Sequence, residues 1–207
     1  MSKIALVTDS TCDLPESVVK DKNITVIPLN VHFGEETFLD GIDLQSNEFF
    51  EKLSTSEIHP QTSQPSVGRF VETYNDLLKK HDSILSLHIS SKLSATYNSA
   101  LQAQKEIGNE KIKVIDSMNG TLGLGAIVHH IADLNQKGES FENLVKEAEK
   151  IIPNAIFMGL VPTLEYLAKG GRIGKARAFM GSLLKIKPIL SAAVSYTHLT
   201  LPTKRIV

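Results

Sequence analysis

The chain has 207 residues, of which 42% are hydrophobic and one is a cysteine, Cys12. Its 22 basic and 23 acidic residues give a net charge of −1. This composition favours a folded protein with a sizeable core and disfavours nucleic-acid binding, a disulfide framework and a cysteine-rich metal site. The amino terminus lacks the apolar run of a signal peptide, and no apolar stretch approaches the roughly 20 residues of a membrane-spanning helix. We therefore expect a soluble, cytoplasmic protein.

Strand and helix patterns alternate over the first three quarters of the chain. Apolar runs typical of buried strands lie at 3–8, 84–89 and 111–115, and a β-branched segment at 24–33 predicts extended structure with an edge or a bend at Pro28. Helical spacing and helix start and stop signals mark 16–20, 47–53, 67–80, 94–107, 120–136 and 141–151. This alternation predicts an α/β fold, a mostly parallel sheet with helices on both faces.

The pattern changes near Pro153. Strands are predicted at 156–161 and 186–190, and helices at 163–168 and 174–184. We assign residues 1–152 to an amino-terminal α/β domain and residues 153–192 to the start of a second, smaller α/β domain. Residues 193–207 contain the string VSYTHLTLPT, which resembles one reading frame of a transposase adapter used in sequencing-library preparation. We expect this tail to be non-native and the second domain to be incomplete.

The segment TSQPS, residues 62–66, places three hydroxyls, an amide and a proline before a predicted helix. Ser66 is a suitable N-cap for that helix, but capping does not explain Thr62 and Ser63. Uncharged hydroxyls at a helix amino terminus suit a weakly charged anion such as a carboxylate. On the residues alone, an anion site and ordinary loop hydrogen bonding are equally good interpretations.

A second hydroxyl-rich segment, residues 90–97 (SSKLSATY), follows the strand predicted at 84–89. Ser94 is a natural N-cap for the next helix, which is a purely structural interpretation. However, the loops at 9–13, 90–94 and 116–120 all leave the carboxyl ends of predicted strands and are rich in Asp, Ser, Thr or Asn. Ligands of doubly wound sheets gather at that edge, so the three loops together predict a ligand site.

Ser94 and Cys12 are also candidate nucleophiles of a small hydrolase or transferase. No histidine is placed by the sequence to activate Cys12, and no G-x-S-x-G elbow is present. Adjacent His129 and His130 point in different directions from a helix, so no metal site is predicted. An interaction domain with neither ligand nor nucleophile is the third alternative.

The segments VTDSTCDLP, TSQPS, ISSKLSATYNSA, VIDSMNGTLGLG and LAKGGRIG, in this order, resemble the signature segments of the DegV family, and the resemblance extends to Leu190. It implies a two-domain α/β protein that binds a long-chain fatty acid, such as a C16 or C18 acid, and presents it to a fatty acid kinase. It further implies a monomeric carrier without cofactor, not an enzyme by itself, with transient membrane contact. The family continues well past Leu190, so the resemblance implies truncation here.

Carried over by motif, the resemblance implies that the hydroxyls of Thr62 and Ser94 hold the fatty-acid carboxylate and that Arg172 contacts the kinase. No catalytic or metal-binding residue is predicted. Close packing of a helix on the sheet explains the uncharged segment at 120–128 (GTLGLGAIV) at least as well as an acyl tunnel does. As a candidate lining of an acyl tunnel we take Gly120, Thr121, Leu122, Gly123 and Leu124.

Overall fold

The structure is a computed structural model that describes residues 3–161, 163–174 and 189–191. Its strands are β1 (Ile4–Asp9), β2 (Ile24–Ile27), β3 (Asn30–Phe33), β4 (Glu36–Leu39), β5 (Gln61–Ser63), β6 (Ser83–His88), β7 (Ile112–Asp116), β8 (Met158–Leu160) and β9 (Ile189–Ser191). Its α-helices are α1 (Glu16–Asp21), α2 (Ser46–Thr55), α3 (Val67–Leu78), α4 (Thr96–Ile107), α5 (Thr121–Gln136), α6 (Phe141–Ile151) and α7 (Glu165–Lys169). Short 3-10 turns follow β1 at Ser10–Cys12 and α6 at Ile152–Asn154.

The main sheet has four parallel strands in the order β2-β1-β6-β7. Leu6 of β1 lies opposite Ile24 of β2 on one side and Leu85 of β6 on the other. The chain therefore moves outward from β1 to β2 and, in the other direction, from β6 to β7. The order reverses between β1 and β6, and crevices at the carboxyl ends of such strand pairs are where α/β sheets bind ligands.

Helices cover both faces of this sheet because successive strand residues point to opposite sides. Leu6, Leu85 and Leu87 belong to a buried cluster with α5 and α6. Val7 and Ile84 belong to a second cluster, with Phe70 and Tyr74 of α3 and Ala100 and Ala103 of α4. The predicted α/β fold, with a parallel sheet between helical layers, is confirmed.

Helix α5 approaches the turn after β1 so closely that only glycine fits at position 125. A Cβ atom added to Gly125 would lie 2.3 Å from the carbonyl oxygen of Cys12. Because backbone atoms occupy that space, a larger residue would have to displace either the helix or the turn. Gly125 therefore fixes the distance between α5 and the carboxyl end of β1.

A small antiparallel sheet, in the order β4-β3-β5, was not predicted from the sequence. The segment predicted as one extended run at 24–33 divides at Pro28, so that β2 joins the main sheet and β3 the small one. Thr62 lies in β5 opposite Val31. The prediction that Thr62 belongs to a loop was therefore wrong, because a three-residue strand rich in small polar side chains has no apolar alternation to reveal it.

The described chain after residue 154 contains β8, α7 and β9, and β8 pairs with β9 in antiparallel fashion. β8 and α7 correspond to the strand predicted at 156–161 and the helix predicted at 163–168. The helix predicted at 174–184, except its first residue, and the tail at 193–207 lie outside the described residues. The division into domains at residues 152 and 153 stays a prediction. Within the described ranges, no helix combines the length and apolar character needed to cross a membrane.

Candidate functional site

The loop after β6 is held by hydrogen bonds from all of its backbone N–H groups between residues 89 and 94. The first three donate to the last residues of two neighbouring strands, Asp9 (3.0 Å) and Asp116 (3.2 Å), and to Asn119 (2.8 Å) in the loop after β7. The last three turn back to the hydroxyl or the carbonyl oxygen of Ser90, at 2.9–3.3 Å. This loop is therefore fixed by the fold before any ligand arrives.

Ser94 is half-buried at the end of this loop. Its Oγ lies 2.9 Å from Oγ1 of Thr96 and accepts a hydrogen bond from the Thr96 N–H at 3.3 Å. Helix α4 begins at Thr96 with Ala95 at the N-cap, so the prediction that Ser94 is the N-cap was off by one residue. When Thr96 donates the hydroxyl–hydroxyl bond, the proton of Ser94 is free to donate to a carboxylate.

The hydroxyl-rich segment at 62–66 uses two of its hydroxyls for structure. Ser63 Oγ lies 2.8 Å from Nε2 of His32 and 3.2 Å from Nδ2 of Asn30. Ser66 is the N-cap of α3, and its Oγ accepts a hydrogen bond at 3.2 Å from the N–H of the third helical residue. Thr62 is exposed, and its hydroxyl makes no hydrogen bond to any residue that the structure describes. It is the hydroxyl of this segment that is left for a ligand.

Thr62 and Ser94 precede two helices whose amino ends lie at the same edge of the main sheet. The short link 79–82 connects the end of α3 to the amino end of β6, so α3 begins near the carboxyl edge. α4 follows β6 and begins at that edge as well, and the two helices pack against each other. The topology thus brings both segments to one edge, although no hydrogen bond joins the two hydroxyls.

The predicted tunnel-lining residues at the start of α5 have different environments. Gly120 is the N-cap and is buried. Leu122 is 60% exposed, whereas Leu124 is fully buried in the cluster between α5 and the sheet. Thr121 has a left-handed backbone, with φ of 47°. Gly123 is buried, and a Cβ atom added to it would lie 2.6 Å from Oδ1 of Asn119. Leu124 thus packs as the structural interpretation expected, and Leu122 is the apolar side chain that this turn exposes.

Arg172 lies in the turn that follows α7 and is exposed. Its Nη1 donates a hydrogen bond of 2.7 Å to the carbonyl oxygen of Gly170. Gly171, with φ of 71°, forms the left-handed residue that this turn requires. The turn therefore presents a guanidinium group to solvent with donors available for a partner.

A buried chain of polar side chains, which the sequence analysis missed, runs beneath the carboxyl edge. Oδ2 of Asp9 lies 2.9 Å from Nδ1 of His88, Nε2 of His88 lies 2.7 Å from Oγ of Ser86, and the hydroxyl of Tyr74 donates to that Oγ at 2.8 Å. All four side chains are 0% exposed. The available signal was the alternation in β6, which places Ser86 and His88 on the same face of a buried strand.

Hydrogen bonds determine which of these buried side chains is charged. Burial alone would raise the pKa of Asp9, but hydrogen bonds from His88, Thr11 and Ile89 outweigh it and hold that pKa below its ordinary value. Burial raises the pKa of Tyr74. Asp9 is therefore an ionised acceptor at neutral pH, and Tyr74 keeps its proton as a donor.

Nearly the whole chain matches a known family. The profile described as "Uncharacterised protein, DegV family" matches residues 3–201. The chain belongs to the DegV family. The match extends into the segment at 193–207, so the interpretation of that tail as non-native stays a prediction.

Solved DegV structures share this fold. A DegV family protein from Thermus thermophilus, described as binding fatty acid, is 37% identical, with a TM-score of 0.87 over 96% of this chain and 70% of that one. DegV from Bacillus subtilis, described as a fatty acid binding protein, is 37% identical, with a TM-score of 0.83 over 92% and 68% of the two chains. A stearic-acid-binding protein from Eubacterium ventriosum is 29% identical, with a TM-score of 0.86 over 97% and 70%. This DegV chain spans about two thirds of the length of such relatives.

The geometry of this DegV protein provides no activated nucleophile among the described residues. Burial raises the pKa of the Cys12 thiol to about 11, so the thiol is protonated at neutral pH. The hydroxyl of Ser94 pairs with Thr96 rather than with a histidine. The order Asp9, His88, Ser86 resembles a catalytic triad, but substrate cannot reach a fully buried Ser86. The described part of the chain also holds no group of three or more His, Cys, Asp or Glu side chains arranged for a metal ion.

Proposed function

We propose that this DegV protein binds a long-chain fatty acid, such as a C16 or C18 acid, and presents its carboxylate to a fatty acid kinase. The observation that carries the proposal is its likeness to the Thermus thermophilus protein described as binding fatty acid, 37% identical with a TM-score of 0.87 over 96% of this chain. In this proposal the protein is a carrier and not an enzyme by itself.

The carboxylate is held by the hydroxyls of Thr62 and Ser94. Both precede helices whose amino ends lie at the same sheet edge, where free N–H groups and the helix dipoles favour an anion. Thr62 has an exposed hydroxyl with no partner among the described residues, and Ser94 has a proton available when Thr96 donates to it. These two groups therefore offer hydrogen bonds that the fold itself does not use.

The acyl tail supplies most of the affinity, and the hydroxyls fix the position of the head group. Burying a C16 chain at about 0.8 kcal/mol per methylene amounts to roughly 12 kcal/mol before entropic costs. A hydrogen bond to a charged group contributes about 1.5–3 kcal/mol. The tail runs between the two domains along the start of α5, where Leu122 exposes apolar surface.

The exposed Arg172 contacts the kinase, because its turn presents a guanidinium that suits phosphate or carboxylate groups of a partner. The carrier acts as a cytoplasmic monomer and touches the membrane only transiently. We expect Arg172→Ala to leave fatty-acid binding intact and to slow phosphorylation of the bound fatty acid by the kinase. Lys79→Ala, a charge removal at the carboxyl end of α3, is the control. Loss of fatty acid with normal phosphotransfer per bound molecule would contradict this role.

Native mass spectrometry of the purified chain tests the function itself. We expect a co-purified fatty acid that is lost on delipidation and regained on adding stearic acid. The double variant Thr62→Val with Ser94→Ala should retain less. Its matched control is Thr55→Val with Ser54→Ala, the same chemical change on exposed α2. Equal retention in both double variants would refute the head-group assignment, and covalent labelling of Ser94 in ligand-free protein would favour the hydrolase alternative.

A further inference from the structure

We propose that Asp9 and His88 are positioning residues of the fatty-acid site, whose buried pair holds the loop that carries Ser94. The inference rests on the proposed function. Neither side chain reaches the surface, so both act through the loop and not by touching the ligand.

The carboxylate of Asp9 joins the loops that follow the two central strands. Oδ1 accepts hydrogen bonds from the N–H and the hydroxyl of Thr11, in the turn after β1, with the N–H at 3.1 Å. Oδ2 accepts from Nδ1 of His88 at 2.9 Å and from the N–H of Ile89 at 3.0 Å, at the end of β6. One buried anion therefore spans the point at which the strand order of the sheet reverses.

One set of directions gives every hydrogen bond among these four side chains a donor and an acceptor, with Nε2 of His88 as an acceptor. Tyr74 donates to Ser86, so the proton of Ser86 is available for Nε2 of His88. Nδ1 of His88 then carries the hydrogen that Asp9 accepts. In this arrangement each donor faces an acceptor. The imidazole of His88 is therefore held in a single orientation against the carboxylate of Asp9.

The hydrogen bond from the N–H of Ile89 to Asp9 fixes the start of the loop, and the start of the loop determines the position of Ser94. Ile89 is the first of the six residues whose N–H groups are all bonded, and the last three of these bonds close on Ser90. A shift where the loop leaves β6 is therefore passed along a tight turn to Ser94. Replacing Asp9 with Asn turns an NH₂ group toward donors that need an acceptor, which releases one of the two loops.

Two measurements on the 207-residue chain test the proposal. Amide hydrogen exchange at residues 89–94 should become on the order of tenfold faster in Asp9→Asn, because the N–H of Ile89 loses its acceptor and the turn that follows loses its attachment to β1. Tyr74→Phe is the matched control. It removes one buried hydrogen bond of the same chain but leaves the Ser86 proton for His88, so exchange at 89–94 should change little. Equal exchange in wild type and Asp9→Asn would overturn the proposal.

A double-mutant cycle separates positioning from general weakening of the fold. With cis-parinaric acid as the fluorescent probe, Asp9→Asn should weaken binding about tenfold in the wild-type background and less than about twofold when Ser94 is already alanine. Equal losses in both backgrounds would overturn the proposal. Absence of probe binding by the wild type would instead count against the proposed function, and hydrogen exchange would still decide whether Asp9 holds the loop.

Variants at His88 repeat the test if Asp9→Asn does not fold. His88→Gln retains an amide N–H that can donate to Asp9, whereas His88→Phe has a ring of similar size and no donor. We expect His88→Phe to weaken probe binding and speed exchange at 89–94, and His88→Gln to restore much of both. Identical behaviour of the two variants would contradict a role for the hydrogen bond to Asp9.

Discussion

The two segments that carry the candidate hydroxyls are stabilised in different ways. The Ser94 loop has all six N–H groups from residue 89 to 94 bonded, and two of their acceptors are the carboxylates of Asp9 and Asp116. Thr62 lies on an outer strand of a small three-stranded sheet, exposed and without a side-chain partner among the described residues. One hydroxyl is therefore positioned by buried charge, and the other by strand pairing alone.

This difference shows that a count of hydroxyl groups does not locate a binding site. In the segment at 62–66, Ser63 bonds to His32 and Asn30, and Ser66 caps α3. The hydroxyl left over is that of Thr62, which bonds to no residue that the structure describes. In the Ser94 loop, the groups that fix the geometry are carboxylates of neighbouring strands, at positions far away in the sequence.

The largest loss of stability is expected from a substitution at Gly125, which contacts the turn after β1. Gly125→Ala places a methyl group 2.3 Å from the carbonyl oxygen of Cys12 and must displace either α5 or the turn that Asp9 organises. We expect a loss of about 2–3 kcal/mol in the free energy of unfolding, measured in urea, although alanine favours a helix.

Gly68→Ala in α3 is the matched control for that change. Its added methyl group would meet no atom closer than 4.0 Å, so helix propensity alone should act and stabilise the protein by about 0.5–1 kcal/mol. Similar effects of the two substitutions would show that α5 and the turn after β1 adapt more freely than their contact indicates.

Acid should remove the stability that ionised Asp9 contributes through its bonds to the start of the Ser94 loop. Because its pKa is lowered in the folded protein, ionised Asp9 contributes stability that is complete above its ordinary pKa of 3.8 and is lost as the pH falls through the lower folded value. Asp9→Asn should therefore be less stable at neutral pH and lose less stability than wild type between pH 4 and pH 2, in urea titrations. Asp43→Asn, at an exposed carboxylate with one backbone bond, is the control. Parallel curves for wild type and Asp9→Asn would contradict this account.

Removal of the N-cap of α3 should cause a smaller loss of stability, and this loss concerns the segment that carries Thr62. Ser66→Ala leaves the N–H of Arg69 without its side-chain acceptor and should cost about 1 kcal/mol of stability. Chemical denaturation measures the loss, and Ser54→Ala at the exposed end of α2 is the control. No loss at Ser66 would mean that solvent replaces the cap.

The sequence predicted the main sheet and its helices well because those elements follow apolar periodicity. Helix α6 was predicted at its observed limits, and α1, α3 and α5 within two residues. The small sheet was missed because β4 and β5 are only four and three residues long and show no apolar alternation that would distinguish them from loops. The hydrogen bond between Asp9 and His88 joins residues 79 positions apart, and no local pattern predicts such a pair.

The site was predicted in the same uneven way. Ser66 was correctly assigned as a cap from its place before α3, and the edge was predicted from the loops that leave β1, β6 and β7. The sequence did not show that Leu122 is exposed and Leu124 buried, because the two residues lie on opposite faces of the same helical turn. Periodicity assigns a face only when several turns share it, and the start of α5 is too short for that.

The smallest expected change in stability is the most informative for function. Thr62→Val preserves the shape of the side chain and suits a strand, and it removes a hydroxyl that bonds to no described residue. The free energy of unfolding should stay within about 0.5 kcal/mol of wild type, whereas retention of fatty acid should fall. Ser63→Ala is the opposite case, because it removes the partner of His32 and Asn30 and should lower stability first. If Thr62→Val instead destabilised the fold and left retention unchanged, the exposed hydroxyl would have a structural role, and the contrast between the two segments would not hold.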